Sequence, residues 1–219
     1  MDLFEALTTT RAIRRFTDEP VTDAEILECI RCATQAPSGG NIQPWQFLVV
    51  TDPEVKRGLG DVYRRAYGRY EPALLAAMPP FRSPDDEAAF GRMLRSSRHL
   101  AEHLGAAPAM VLVLMPSISM TLRDAAGDLD VGTPFASVYP AVQTFMLAAR
   151  GLGIGTTLTT VYRIHQDEVR ALCGIPDRYE VVALLPMGRP RGHFKPGLRR
   201  PAEQLTHWNR FGTKRPAVG

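Results

Sequence analysis

A chain of 219 residues, 45% hydrophobic and 22% charged, can bury a core without metals or disulfides, and these shares exclude a disordered chain or a coiled coil. Its formal charge of +3, spread over scattered arginines, is too weak and dispersed for a nucleic-acid footprint. Cys29, Cys32 and Cys173 are an odd set for a secreted disulfide framework, the start is acidic at Asp2 and Glu5, and no apolar run approaches the roughly 20 residues of a membrane helix, so a cytoplasmic protein with free thiols and no membrane partner is expected.

Asp2 and Glu5 form a capping-box pattern ahead of Leu3, Phe4 and Leu7, which predicts a short helix fraying at Thr8, Thr9 and Thr10. Thr22 and Glu25 repeat the pattern, and Ile26, Leu27, Ile30 and Ala33 recur at helical spacing up to Pro37. A polar turn, Ser38-Gly39-Gly40-Asn41, leads into an apolar strand at 46–51. Residues from about 53 to 107 read as helices joined by irregular segments. A second buried strand is predicted at 110–115, a loop at 117–134, and an apolar helix at 137–150 whose small residues admit a close neighbour. Glycines at 151, 153 and 155 end that helix, a strand follows at 156–161, a short helix at 165–173 and a third strong strand at 179–187. The remainder is rich in Pro, Gly and Arg, with Leu205 and Trp208 as its apolar anchors, so it lies across its own domain or embraces a neighbour. The whole reads as one α+β domain over 1–219, a mixed sheet between helices, with a lid or insert at about 53–107 and a C-terminal arm at about 190–219.

Four segments carry candidate chemistry. Arg11 and Arg14 can converge on one anion only if the backbone turns between them, because positions three apart on a straight strand face opposite ways. In the 37–45 segment the glycines admit a ligand to backbone amides, and Ser38, Asn41 and Gln43 offer donors and acceptors suited to a heteroaromatic rim. The glycines at 151–155 follow a helix and open a strand, the reverse of a dinucleotide fingerprint, so a Rossmann reading fails, whereas the hydroxyls of Thr156, Thr157, Thr159 and Thr160 can line a ring. Arg199, close to Pro201, is a plausible phosphate clamp or a plain surface charge.

Other signals have simpler readings. Cys29 and Cys32 lie mid-helix without the strand-first context of a redox pair, and read as packing. His99 and His103, four apart, lack a third metal ligand. Asp85, Asp86 and Glu87 suit a helix N-terminus. Tyr63, Tyr67 and Tyr70 read as packing for two of the three, or as part of a lid.

The order Arg11-Ala12-Ile13-Arg14-Arg15-Phe16, then Ala36-Pro37-Ser38-Gly39-Gly40-Asn41 with Gln43-Pro44-Trp45, resembles the opening signature of the FMN-dependent nitroreductase family. Leu147-Ala148-Ala149-Arg150-Gly151-Leu152-Gly153, Gly188, Arg199-Arg200-Pro201 and His207-Trp208-Asn209-Arg210 resemble its later landmarks in the same order. The resemblance implies a nitroreductase-like fold with a mainly antiparallel sheet, built as an intertwined homodimer whose C-terminal extension reaches the partner. It implies FMN as cofactor, NAD(P)H as co-substrate, and ping-pong delivery of electrons to a small electron-poor acceptor such as a nitroaromatic or quinone; the alternatives are another reaction on the same fold (ene reduction, reductive dehalogenation or flavin fragmentation) or, in another class, a flavin-binding sensor or storage protein without turnover. By the same resemblance Arg11, Ala12 and Arg14 hold the phosphate and the pyrimidine edge, Arg14 lies near N1 and O2, and Arg199 completes the phosphate site. Pro37, Ser38, Gly39, Asn41 and Gln43 contact the ring and ribityl chain, with each site drawing on both subunits, and Thr157, Leu158 and Thr159 pass near N5. Ala12 stands where many relatives carry Ser, so a hydroxyl contact is lost there. No titrating residue is required.

Overall fold

Strand β2, Ala109–Pro116, is apolar almost from end to end, and the reason is that both of its faces are covered. A computed structural model describes residues 1–117 and 122–215. In it, strands β1 (Gln46–Val50), β2, β5 (Gly155–Thr156) and β6 (Tyr179–Gly188) form one sheet in the order β1-β2-β6-β5, every neighbouring pair antiparallel. Side chains alternate across a strand. Ala109, Val111, Val113 and Met115 therefore enter one core, while Met110, Leu112 and Leu114 enter another.

The first core is closed by helices α2 (Asp23–Ala33) and α5 (Tyr139–Gly151), through Ile26, Cys29 and Ala33 against Val142, Phe145 and Ala149. Helices α3 (Pro53–Ala77) and α4 (Pro84–His103) close the second, with Leu59, Val62, Tyr63 and Tyr67 facing Leu100 and Leu104. Gly60 is needed where α3 crosses the 104–106 turn, because a Cβ there would lie 2.8 Å from the Gly105 nitrogen. Between Val113 and Leu114 the pairing with β6 shifts register, as Val113 opposes Ala183 and Leu114 opposes Val181. Such a bulge sharpens the local twist.

Several elements differ from the sequence expectation. Helix α1 (Leu3–Thr9) keeps Thr8 and Thr9 in its last turn, where the Thr8, Thr9 and Thr10 hydroxyls donate back to the carbonyls of Phe4, Glu5 and Ala6 at 2.7, 2.6 and 2.7 Å. Its cap is Asp2 alone, and Glu5 turns instead to Arg150 at 3.2 Å. Helix α2 stops at Ala33, short of Pro37, because Gln35 and Ala36 donate in tight turns to Cys32 and Ala33. The 117–134 loop contains an exposed hairpin, β3 (Leu122–Asp124) with β4 (Gly127–Leu129), and its residues 118–121 lie outside the described ones. The 156–161 strand ends after Thr156. Thr159 alone returns to the sheet, exchanging backbone bonds with Leu184 at 3.0 and 3.1 Å, before a 3-10 turn at Val161–His165. Helix α6 (Gln166–Leu172) and the short α7 (Ala202–Leu205) complete the chain, and the one parallel contact among the described residues is the Ala12–Thr156 bridge.

The α2 capping box forms as expected, with Thr22 N donating to Glu25 Oε2 at 2.9 Å and Glu25 N to Thr22 Oγ1 at 3.3 Å. Arg189 adds a charge-assisted bond to Glu25 at 2.5 Å. The Thr22 amide foremost, then Arg189 and the Thr22 hydroxyl, hold the Glu25 carboxyl below its ordinary range against the opposing effect of burial. A depressed folded value gives stability that is complete above the unfolded pKa and lost as pH falls through the folded one. Glu25→Gln is thus expected to cost about 1 kcal/mol at pH 7 and to converge with the wild type in strong acid, as urea unfolding at the two pH values would show.

Candidate functional site

The 11–16 segment is not a sheet strand. It is tethered at both ends: Ile13 N donates to Thr156 O at 2.8 Å, Thr17 N to Arg189 O at 2.8 Å, and Arg191 N to Arg15 O at 3.0 Å. Ile13 is buried against Gly155, where a Cβ would lie 2.7 Å from its Cγ2. With Ile13 packed there, its neighbour Arg14 is left to border two adjoining clefts.

The first cleft, about 410 Å³, is cationic. Arg11, Arg14, Arg15, Arg191, His193 and Lys195 all line it, with Ala12, and among the described residues no carboxylate does. Arg11 and Arg14 thus share one cleft, as convergence on one anion requires. Arg15 Nη1 donates to His99 Nδ1 at 3.0 Å. Burial, then the Arg15 charge, lowers the His99 pKa, so the ring stays neutral and accepts. His103 stacks on it at 4.1 Å, with its own Nδ1 2.9 Å from the His99 carbonyl. The histidine pair therefore braces an arginine, and no cluster of three metal-ligating side chains occurs among the described residues.

The second cleft, about 210 Å³, is lined by Arg14 and the Thr157-to-Val161 backbone turn on one side, Tyr63, Tyr67, Tyr70 and Leu74 of α3 on another, and Met93, Leu94, Ser97 and Leu100 of α4 on the third. The half-buried Arg14 guanidinium has no ion-pair or hydrogen-bond partner among the described residues. Burial, opposed only by Tyr63 and Tyr67, lowers its pKa. Tyr63 OH and Thr159 Oγ1 are bonded at 2.9 Å. Thr157 Oγ1 and Tyr67 OH are buried without a partner among the described residues. Buried polar atoms are normally satisfied, and such exceptions require a reason. An uncompensated cation beside unpaired hydroxyls, adjoining an anion-attracting cleft, fits a phosphorylated ligand with a polar edge.

Arg11, Ala12, Arg14, Thr157, Leu158 and Thr159 are thus gathered around these clefts. Other candidates are elsewhere in the chain. Pro37, Ser38, Gly39, Asn41 and Gln43 form a separate turn, in which Gly39 N donates to Ser137 Oγ and Gln43 N to Ser38 Oγ, each at 3.1 Å. Asn41 and Gln43 hold φ of 54° and 45°. A left-handed Gln is costly, of order 1–3 kcal/mol, and such strain concentrates at functional sites. Arg199 is exposed, lines neither cleft, and donates to its neighbour Leu198 O at 2.9 Å. Sequence reasoning missed Arg15, Arg191, His193, Lys195 and Ser97. The basic run just beyond β6 was the available signal for three of them. Cys29 is a core residue whose burial pushes the thiol up to about 12, which excludes thiolate chemistry there near neutrality.

Fold and site together present two adjoining clefts, one of them cationic, beside a two-faced antiparallel sheet covered by helices. The model of the Nitroreductase family matches residues 7–189, and the chain belongs to that family. A putative NADH dehydrogenase/NAD(P)H nitroreductase of Archaeoglobus fulgidus is 27% identical over 190 residues, 84% of this chain and 82% of its own length. Iodotyrosine deiodinase of Drosophila melanogaster is 26% identical over 195 residues, 86% of this chain, and the match spans 62% of that longer relative. A crystal structure of an oxidized iodotyrosine deiodinase bound to FMN and 3-iodo-L-tyrosine superimposes with a TM-score of 0.72 at 24% identity, covering 96% of this chain and all of that one. It shares the fold.

Proposed function

We propose that this chain is an FMN-dependent oxidoreductase that takes electrons from NAD(P)H and passes them to a small electron-poor acceptor such as a nitroaromatic or a quinone. The observation that carries this reading is the half-buried, unpaired Arg14 guanidinium, shared by a cationic cleft and a cleft with unsatisfied hydroxyls. The family resemblance, an FMN-bound structure of the same fold and a relative named for NAD(P)H point the same way.

When bound, FMN supplies the hydride and electron chemistry, and the protein supplies position and charge. Arg11 and Arg14 attract the phosphate, and Arg14 stabilises the negative charge that reduction brings to the pyrimidine edge. The Thr157 hydroxyl gains the partner it lacks, while Thr157, Leu158 and Thr159 line the ring. Helices α3 and α4, within the 53–107 insert, exclude water from above.

The 37–43 turn and Arg199 complete the site from a second protomer, with the 190–219 arm as the reaching element. Supporting this, large apolar side chains on these segments and near the N-terminus are unpacked in the single chain, with Phe4 72%, Leu198 87% and Phe211 92% exposed. No helix among the described residues is long and apolar enough to cross a membrane. Purified protein is expected to be yellow, to release FMN on denaturation, and to bleach anaerobically with NADH or NADPH before any acceptor is added. A colourless protein that cannot be reconstituted with FMN would refute the proposal.

A further inference from the structure

Tyr67 is only 5% exposed, and its hydroxyl makes no hydrogen bond although the residue lines the Arg14 cleft. A buried hydroxyl without a partner is destabilising, and Phe at this position would fill the same space without that cost. The groups around it do not relieve it. The hydroxyl of Tyr63, whose ring stacks at 6.5 Å, is already engaged with Thr159. The nearby Glu71 carboxylate is held by Arg98, whose Nε donates to it at 2.7 Å and so ties α3 to α4. The Glu71–Arg98 pair thus joins the two helices beside Tyr67, and the Tyr67 hydroxyl, buried and without a partner among the described residues, is the donor still available to a ligand that enters between them.

We infer that Tyr67 selects the acceptor substrate, donating a hydrogen bond to an oxygen carried on a flat aromatic body. This rests on the proposed function, with the flavin ring against Thr157 to Thr159 and the acceptor entering the remainder of the Arg14 cleft beside helices α3 and α4. The phenol serves as the donor because the charge facing the cleft is the Arg14 cation, which favours an electron-rich oxygen and repels cationic ligands. Leu74, Met93 and Leu94 supply apolar walls for the ring. The oxygens that fit are those of nitro, quinone and ketone groups. Burial raises the Tyr67 pKa, with Glu71 adding to the effect, so the proton needed for donation is retained throughout the neutral range.

A pair of near-isosteric ligands isolates this one contact: para-fluoroacetophenone carries the carbonyl oxygen, and para-fluoro-α-methylstyrene replaces it with a methylene. Fluorine NMR titrations of the full chain are expected to show about tenfold tighter binding of the ketone. Tyr67→Phe is expected to bind the two equally, with a melting temperature equal to or above the wild type, since no protein bond is lost. A ketone preference that survives in Tyr67→Phe, or its absence from the wild type, would overturn the assignment. Flavin content is read separately from the visible spectrum of the same samples. A flavin-free protein would refute the cofactor reading, while the ligand pair would still decide the role of Tyr67.

Discussion

Arg14→Met is expected to slow anaerobic reduction of the bound flavin by NAD(P)H roughly 100-fold while leaving the fold intact. Losing one preorganised electrostatic group from a water-poor site typically costs a factor of 10² to 10³, and among the described residues no other cation lines the second cleft, the one walled by α3 and α4. Met retains an apolar stem of similar length, so the packing against Tyr63 and Tyr67 is largely kept. The guanidinium is half-buried without an anion, and removing it is expected to leave the melting temperature unchanged or slightly higher. Arg14→Lys keeps the charge but loses the planar fork, and an intermediate rate is expected. Stopped-flow absorbance and thermal unfolding on the same preparations separate lost chemistry from lost structure.

Gly155→Ala is expected to cost about 1–3 kcal/mol of stability and to weaken FMN binding about tenfold, although Gly155 lines neither cleft. The added Cβ would lie 2.7 Å from Ile13 Cγ2 and 2.8 Å from Ile13 Cβ. Ile13 is β-branched and stiff, and its amide is fixed to Thr156 O at 2.8 Å, so the backbone of the 11–16 segment must yield. Arg14 is the next residue and moves with it. Gly151→Ala is the internal comparison, because a Cβ there meets nothing within 4 Å, and it is expected to be neutral or mildly stabilising. Urea unfolding and flavin titration of both variants check the contrast.

The elements legible in the sequence were those governed by local rules. The Thr22–Glu25 capping box, the apolar runs of β2 and β6 and the glycine stop after α5 each follow from residues a few positions apart. What could not be read locally was fixed by distant partners. The threonines at 8 to 10 suggest fraying until their hydroxyls find helix carbonyls and Arg150 reaches Thr9 at 2.9 Å. Strand propensity at 156–161 is overridden because β6 offers Thr159 only an isolated bridge at Leu184. Of the residues that line the two clefts, Arg11, Arg14 and Thr157 to Thr159 were singled out by residue type and by family resemblance. Tyr63 and Tyr67 were not, because an apolar-faced tyrosine stripe looks the same whether it packs a core or walls a cleft. The difference lies in one unpaired hydroxyl, which appears only in three dimensions.

The midpoint potential of the bound flavin, compared between the wild type and Arg14→Met at full FMN occupancy, tests the role of the Arg14 charge most directly. A fixed cation that stabilises the added negative charge should make the wild-type potential more positive by roughly 30–60 mV, each 30 mV being about tenfold in a two-electron equilibrium. Equal potentials in the two proteins would show that Arg14 does not lie where reduction places charge, and would contradict the site proposed for this chain.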